Sequence, residues 1–103
     1  MSASPTRLTI ANGEVARHLV LDGDLDSHTA PRLDAAVQSL GADGEVTIDL
    51  SRVGFIDSSG LRVLITAHTL LCDRGQRLVL LSPSSAVVRL FEITGLTDHL
   101  HVT

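Results

Sequence analysis

The spacing of apolar residues along the chain predicts a strand that is followed by a helix. Val46, Ile48 and Leu50 alternate with polar residues, as in a half-buried strand. Farther on, apolar residues recur three or four positions apart, and this helical stripe consists of Leu61, Leu64, Ile65, His68, Leu71 and Cys72. The change of spacing predicts a strand over 46–50, a loop over 54–60 and a helix over about 59–74.

The junction between this strand and this helix reads Asp57-Ser58-Ser59-Gly60. Ser58 should lie at or next to the N-cap, where a hydroxyl can accept a hydrogen bond from a backbone N–H that has no partner within the helix. The same unpaired N–H groups, with the positive end of the helix dipole, make this point a favourable place for an added phosphate.

The residues before the central strand predict a hairpin. Short strands are expected over 8–10 and over about 15–21, and Asn12-Gly13 between them is a strong hairpin-turn pair. A polar loop is expected over 22–28. The chain should therefore begin its sheet with two antiparallel strands.

Two further helices are predicted, each with a start signal and a buried face. Thr29 can cap the first, and Ser82-Pro83 before the last has a cap residue followed by a proline at the first helical position. Gly75 should end the helix predicted over about 59–74, and Thr94-Gly95 should end the last helix. The buried faces should carry Leu33, Ala36, Val37 and Leu40 in the first and Val87, Leu90 and Phe91 in the last.

The order of these elements predicts the fold class. Residues 78–81 are an uninterrupted apolar run, typical of a strand covered on both faces, and a strand–helix–strand unit of this length predicts a right-handed parallel crossover. With a short edge strand over 99–102, the order β-β-α-β-α-β-α(-β) predicts an α/β domain over 1–103. We expect a mixed β-sheet with helices packed against it. Functional loops gather at the carboxyl ends of parallel strands, and those expected to converge are 22–28, 54–60 and 82–85.

Composition excludes some classes of function. The formal net charge is −4, the eight basic residues are scattered arginines, and only Phe55 and Phe91 are aromatic, so the features of a nucleic-acid binder are missing. No apolar run reaches the roughly 18 residues of a membrane span, and the first residues lack a signal-peptide pattern. We therefore expect a cytoplasmic protein without membrane association. Cys72, the only cysteine, is expected to be a small buried hydrophobe.

Several motifs taken together resemble the STAS domain of bacterial anti-sigma factor antagonists. The central motif is Phe55-Ile56-Asp57-Ser58-Ser59-Gly60-Leu61, which follows Ile48-Asp49-Leu50-Ser51. The companion motifs are Gly23-Asp24-Leu25-Asp26 upstream and Ser82-Pro83, Arg89-Leu90-Phe91 and Thr94-Gly95-Leu96 downstream. The resemblance covers nearly the whole chain and implies the STAS fold.

The resemblance implies a protein-interaction switch and not an enzyme. Family members bind an anti-sigma factor that is also a serine kinase, which frees the sigma factor. The kinase phosphorylates the antagonist and so abolishes binding, and a PP2C-type phosphatase reverses this. The family's phosphoacceptor directly follows the aspartate of the motif, and that position here is Ser58. No cofactor is implied, and the state of association is expected to be a monomer or a weak dimer.

A second reading is a STAS subunit that does not switch, such as the accessory component of a lipid or anion transporter that docks on an ATPase. Ser58 would then only cap a helix. The fold would be the same in both readings.

The contact surface for the partner is expected around Ser58, and the candidate residues are Asp24, Asp26, Asp57, Ser59, Gly60 and Arg62. Arg62 stands where family members often have a second glycine, one helical turn from Ser58, and could pair with a phosphate there. Plainer roles remain open for the others. Asp24 and Asp26 can be ordinary turn residues, Asp57 a solvated carboxylate that favours the helix N-terminus, and Ser59 a capping residue.

Three other kinds of site have weaker support in the sequence. His28 lies in a loop near Ser58, but nothing in the sequence supplies the oxyanion hole or the substrate pocket of a hydrolase. The acidic residues, and His99 with His101, do not recur with a ligand spacing, so no metal site is predicted. Nucleotide binding at the strand ends stays open, although no Gly-rich phosphate loop occurs.

Overall fold

The structure, a computed structural model, describes residues 8–12, 18–40, 44–96 and 100–103. These residues form one five-stranded sheet and three helices in the order that the sequence predicts. The strands are β1 (Leu8–Asn12), β2 (His18–Leu25), β3 (Glu45–Ile56), β4 (Arg77–Leu81) and β5 (His101–Val102). The helices are α1 (Ala30–Gln38), α2 (Ser58–Asp73) and α3 (Ser85–Thr94).

The five strands lie side by side in chain order. β1 pairs antiparallel with β2, and β2, β3, β4 and β5 pair parallel with one another, which confirms the mixed sheet and the predicted parallel crossover. α2 packs against β3, β4 and α1, and α3 packs against β3. The predicted Asn12-Gly13 turn and the start of the second strand at about 15 lie outside the described residues.

β2 and β3 end later than predicted, at Leu25 and Ile56, and the expected loops begin correspondingly later. The prediction of a polar loop from Asp22 is wrong, because the chain there still has strand partners on both sides. Gly23 pairs with Leu8 of β1 and with Val53 of β3. Two register shifts in β2, between positions 20 and 22 and between 23 and 24, accommodate the short polar residues within the ladder.

β3 likewise continues to Ile56, so the loop predicted from Gly54 is reduced to the single residue between β3 and α2. Leu25 of β2 pairs with Ile56, while on the other side the last partner in β4 is Leu81, opposite Asp49. β3 therefore extends seven residues past its last pairing with β4, from Leu50 to Ile56. This segment, here called the β3 extension, carries the chain to the candidate site.

Aliphatic side chains make up most of the core. Each buried leucine stabilises the fold by about 1.5–3 kcal/mol relative to an exposed one. The sheet contributes Leu19, Leu21, Leu25, Val46, Ile48, Leu50, Val53, Ile56, Leu78 and Leu80, and the helices contribute Leu33, Val37, Leu61, Leu64, Ala67, Leu71, Val87 and Phe91. Most of the predicted helical faces are therefore buried as expected.

Cys72 is exposed, so the prediction that it is buried is wrong. Successive residues of a helix turn by about 100°, and Leu71 already occupies the buried position at this end of α2. The next residue is turned away from the sheet. Gly75, with a φ of +72°, ends α2 as predicted.

α3 starts later than predicted, because Ser84 and not Ser82 is its N-cap. The Ser84 hydroxyl accepts from the N–H of Val87 at 3.4 Å and donates to the carbonyl oxygen of Val53 at 2.6 Å. The Ser84 N–H donates to the carbonyl oxygen of Leu50 at 3.2 Å. These two bonds to the β3 extension fix where the helix begins. Gly95, with a φ of +72°, ends α3 as predicted.

Candidate functional site

The turn from β3 into α2 is held by the carboxylate of Asp57. Asp57 is the N-cap of α2, and its Oδ1 accepts from the N–H of Ser59 at 2.9 Å and from that of Gly60 at 3.2 Å. Both serines of this motif could have capped the helix by residue type. Asp57 caps it because the backbone is still extended there, with φ −120° and ψ −171°.

Ser58 is consequently the first residue of α2 and not its N-cap. Its side chain is exposed. Within the part of the chain that the structure describes, its hydroxyl has no hydrogen-bond partner, since Asp57 satisfies the N–H groups that it might have capped. The hydroxyl therefore projects from a helix start with no structural bond to break.

The first turn of α2 lies directly against the end of β2. A Cβ on Gly60 would come within 2.5 Å of the carbonyl oxygen of Leu25 and 2.7 Å of its Cγ, so only glycine fits at this position. The N–H of Asp57 donates to the same carbonyl oxygen at 3.2 Å. Gly60 is buried, so it sets the position of Ser58 and does not form part of an outer surface.

The loop after β2 is compact and is organised by Asp26 and Thr29. The Oδ1 of Asp26 accepts from the N–H groups of His28 at 2.9 Å and Thr29 at 3.2 Å. The Thr29 hydroxyl accepts from the N–H of Asp26 at 2.9 Å and donates to the carbonyl oxygen of Asp24 at 2.8 Å. Thr29 is the N-cap of α1 by position, as predicted, but its hydroxyl stabilises this loop and not the helix.

Asp24 and Asp26 therefore differ, although the sequence motif treats them alike. Asp26 is only 5% exposed, which argues against the expected contact with a partner and favours the structural alternative. The side chain of Asp24 is half-buried and has no hydrogen-bond partner among the described residues. Of these two aspartates, only Asp24 remains available for contact with an outside group.

Arg62 and Ser59 line a cleft of about 360 Å³ between α1 and α2, together with Asp34 and Thr66. Arg62 is exposed and has no ion pair within the described ranges. Asp34, across the cleft, accepts from Nε2 of Gln38 at 3.0 Å. A free guanidinium thus lies four residues, or about one helical turn, after Ser58.

The three loops expected to converge do so only in part. The ends of β2 and β3 meet directly through Leu25, as described above. The loop after β4 joins β3 farther back, through the two bonds of Ser84 to Leu50 and Val53. Since β3 extends past β4, this third loop flanks the β3 extension and not the start of α2.

A second concave surface, which no pattern in the sequence predicted, lies on the other side of the β3 extension. It is a groove of about 530 Å³ between the end of β3 and α3, lined among others by Phe55, Arg89 and Ile93. The alternation signal in β3 stops at Leu50, because Ser51 and Arg52 are both exposed and Val53 is again buried. The exposed Phe55 was the one available signal for this surface.

The other chemistries considered above gain no support from the geometry. His28 is exposed in the loop after β2. Among the described residues, no three His, Cys, Asp or Glu side chains are grouped so that they could hold a metal ion. None of the described helices is both long enough and apolar enough to cross a membrane.

Comparison with known proteins identifies the family to which the chain belongs and a protein that is similar to it. A family model described as "Mlab, STAS domain" matches residues 8–102. An anti-sigma-B factor antagonist of Listeria monocytogenes is 38% identical over 82 residues, which are 78% of this chain and 72% of that protein. By its name this relative is a regulatory protein that antagonises an anti-sigma-B factor.

Two solved structures have the same fold as this chain. An anti-sigma factor antagonist from Mycobacterium paratuberculosis superposes with a TM-score of 0.77 at 26% identity, covering 99% of this chain and 89% of that one. The anti-sigma factor antagonist SpoIIAA in its unphosphorylated form superposes with a TM-score of 0.73 at 24% identity, covering 94% of this chain and 88% of that one.

Proposed function

Because this chain belongs to the STAS domain family, we propose that it is an anti-sigma factor antagonist whose binding is switched off by phosphorylation of Ser58. The unphosphorylated chain binds an anti-sigma factor that is also a serine kinase, and so frees a sigma factor. A PP2C-type phosphatase acts on the phosphorylated form. The names of the relatives support the antagonist activity, and the geometry at Ser58 supports the switch.

The observation that supports the switch is that the Ser58 hydroxyl is exposed and has no hydrogen-bond partner among the described residues, while the turn that bears it is held in place by its neighbours. Asp57 holds the first N–H groups of α2, and Gly60 rests against Leu25. A kinase can therefore reach the hydroxyl without unfolding the helix. The phosphoryl group can likewise be removed by a phosphatase from the folded protein.

Phosphorylation is expected to act on the partner and not on the fold. A phosphate adds about −1.5 to −2 charges, and the N-terminus of a helix is where a negative charge is favourable. The Arg62 guanidinium, one turn away, can pair with it. When a partner closes over Ser58, however, the new charge must lose water or meet acidic groups. If that conflict costs about 3 kcal/mol, affinity falls by roughly two orders of magnitude.

The proposed contact surface differs from the one expected from the motif alone. It consists of Ser58, Ser59, Arg62 and the half-buried Asp24, with Asp57 at the rim. Gly60 and Asp26 lie beneath it and position it. Asp57 is partly exposed, but its Oδ1 is already used by two N–H groups, so its contribution to a partner is secondary.

The test is incubation with the serine kinase domains of candidate anti-sigma factors and ATP, followed by mass spectrometry and binding measurements. We expect one phosphate at Ser58 in wild type, none in Ser58→Ala, and still one phosphate at the end point of the reaction in Ser59→Ala. The phosphorylated protein and Ser58→Asp should bind the same kinase at least about 100-fold more weakly than wild type, which corresponds to the 3 kcal/mol above. Incorporation that leaves affinity unchanged would disprove the switch.

A second candidate function is the accessory subunit of a transporter ATPase, the alternative that the STAS resemblance also implies and that has the same fold. Ser58 would then be only the first residue of a helix. In that case, the chain should co-purify with an ATPase, and Ser58→Asp should bind the ATPase as well as wild type does.

A further inference from the structure

The groove between the β3 extension and α3 has the chemistry of a protein-binding surface. Its volume is about 530 Å³, and its walls are formed mainly by Phe55, Ile56, Ala86, Arg89, Leu90 and Ile93. It is here called the α3 groove. It adjoins the proposed phosphorylation site, because Phe55 and Ile56 lead directly into Asp57 and Ser58.

The α3 groove concentrates the exposed apolar surface of the described residues. Among the described residues, three large hydrophobic side chains are exposed: Phe55 at 48%, Val88 at 37% and Ile93 at 75%. Phe55 and Ile93 line the groove. Water-exposed apolar side chains that face one concave surface mark an interaction site more often than scattered ones do. Neither Phe55 nor Ile93 belongs to the hydrophobic core, so burial in the core does not explain why these side chains are apolar.

The sheet edge beside the groove is open to an extended segment. Among the described strands, β3 has no partner on its β4 side after Asp49, and of the described residues Ser84 bonds to this edge at Leu50 and Val53. The last residues of β3, from Gly54 to Ile56, therefore line the groove. An extended peptide is the kind of occupant that a free strand edge next to an apolar wall accommodates.

The positive charge of Arg89 indicates which kind of ligand the groove can bind. Of the described residues that line the groove, Arg89 alone is charged. It is exposed and has no ion pair with any described residue. An occupant with a carboxylate next to its apolar side chain would satisfy this guanidinium. A second copy of this chain docked through the same face would instead bring two Arg89 side chains close to each other.

We propose that the α3 groove binds an extended segment of the anti-sigma factor in which a large apolar side chain stands next to an acidic one. This inference rests on the proposed function, because it assigns the occupant to the same partner. Phe55 is three residues before Ser58, which is a span of about 10 Å along the backbone. A partner that covers Ser58 therefore reaches the groove without leaving the surface.

The test compares groove variants with matched controls on the same helix and sheet. Ile93→Asp places a charge in the groove, and Val88→Asp places the same charge at an exposed position of α3 that does not line it. Arg89→Glu reverses the groove charge, and Arg77→Glu reverses an exposed arginine at the start of β4. All four side chains are exposed, so we expect each variant to fold.

Affinity for the purified anti-sigma factor kinase is measured by calorimetry for each variant. Ile93→Asp and Arg89→Glu should each bind at least about tenfold more weakly than wild type, as for residues that anchor an interface. Val88→Asp and Arg77→Glu should stay within about twofold. Short synthetic peptides tiled along the kinase should include one competitor with a Leu, Ile or Phe next to an Asp or Glu. Amide hydrogen exchange of α3 should slow in the complex.

The other possible results of these measurements contradict either the groove proposal alone or both proposals. If Ser58→Asp abolishes binding while Ile93→Asp and Arg89→Glu bind like wild type, the groove proposal is wrong and the proposed function stands. Equal losses in Val88→Asp and Ile93→Asp overturn the groove as the contact. A wild-type dimer that only Ile93→Asp dissociates assigns the groove to self-association instead. If no anti-sigma factor kinase binds the wild type, both proposals fail.

Discussion

The carbonyl oxygen of Leu25 lies 2.5 Å from the point where a Cβ on Gly60 would stand. This oxygen also accepts the N–H of Asp57, so the backbone of β2 cannot retreat without losing a hydrogen bond. The end of β2 and the start of α2 are therefore in direct backbone contact, and glycine at position 60 is what permits this contact.

Gly60→Ala should lower the free energy of unfolding by about 1–3 kcal/mol, the range for an added group in a packed site. Gly54→Ala is the matched control, since a Cβ there meets nothing within 4 Å. Urea denaturation followed by circular dichroism measures both. If Gly60→Ala were as stable as Gly54→Ala, the contact between α2 and β2 would be looser than described here.

Asp57→Ala should lower the free energy of unfolding by about 0.5–2 kcal/mol, because two N–H groups at the start of α2 lose their acceptor. Asp57→Asn keeps an oxygen acceptor and should recover much of this loss. The two variants are compared by thermal and chemical unfolding. An Asn variant as unstable as the Ala variant would indicate that charge, and not the hydrogen bonds, dominates at this position.

Arg62 should lower the second pKa of a phosphate on Ser58, because a nearby cation favours the dianion. Phosphorus NMR titration of the phosphorylated protein measures this pKa directly. It should be higher in Arg62→Gln than in wild type. Arg74→Gln, an exposed arginine at the other end of α2, should leave it unchanged. An equal pKa in wild type and Arg62→Gln would show that the guanidinium does not reach the phosphate.

Asp49 should make the stability of the fold depend on pH. Hydrogen bonds from Ser51 hold the pKa of the Asp49 carboxyl below its ordinary value, and His18 and Arg52 act in the same direction. A group whose pKa is lower in the folded state stabilises the fold above its unfolded pKa, and this contribution is lost as the pH falls through the folded pKa.

Wild type should therefore be more stable than Asp49→Asn near neutral pH, and the difference should shrink on acidification. The effect should be modest because Asp49 is only partly buried. Unfolding is measured by denaturant titration at several pH values. A constant difference across the acid range would mean that the hydrogen bonds from Ser51 do not discriminate between the two protonation states.

The order of strands and helices could be predicted from the sequence, because the spacing of apolar residues and the glycines that end helices are local signals. Gly75 and Gly95 end helices where expected, and Leu64 and Phe91 lie in the core. The strand lengths could not be predicted in this way. Asp22 and Gly23 read as loop residues, and only their pairing with β1 and β3 makes them part of a strand.

The candidate site was predicted in position but not in its internal roles. Asp57, Ser58 and Ser59 can each cap a helix, and the choice among them depends on where the extended backbone of β3 ends. Asp24 and Asp26 look equivalent in sequence, yet the turn around Thr29 buries only the second. The α3 groove depends on the length of β3 relative to β4, which no local pattern encodes.

The β3 extension has one further consequence, which concerns local opening. Thr47 to Asp49 have neighbouring strands on both sides, whereas beyond Asp49 two hydrogen bonds from Ser84 hold the β4 side. Detachment of α3 from the sheet should therefore loosen the tip of the longest strand at the same moment, as one cooperative unit. A ligand that holds α3 against the sheet would then also stiffen the end of β3, which leads into Asp57 and Ser58.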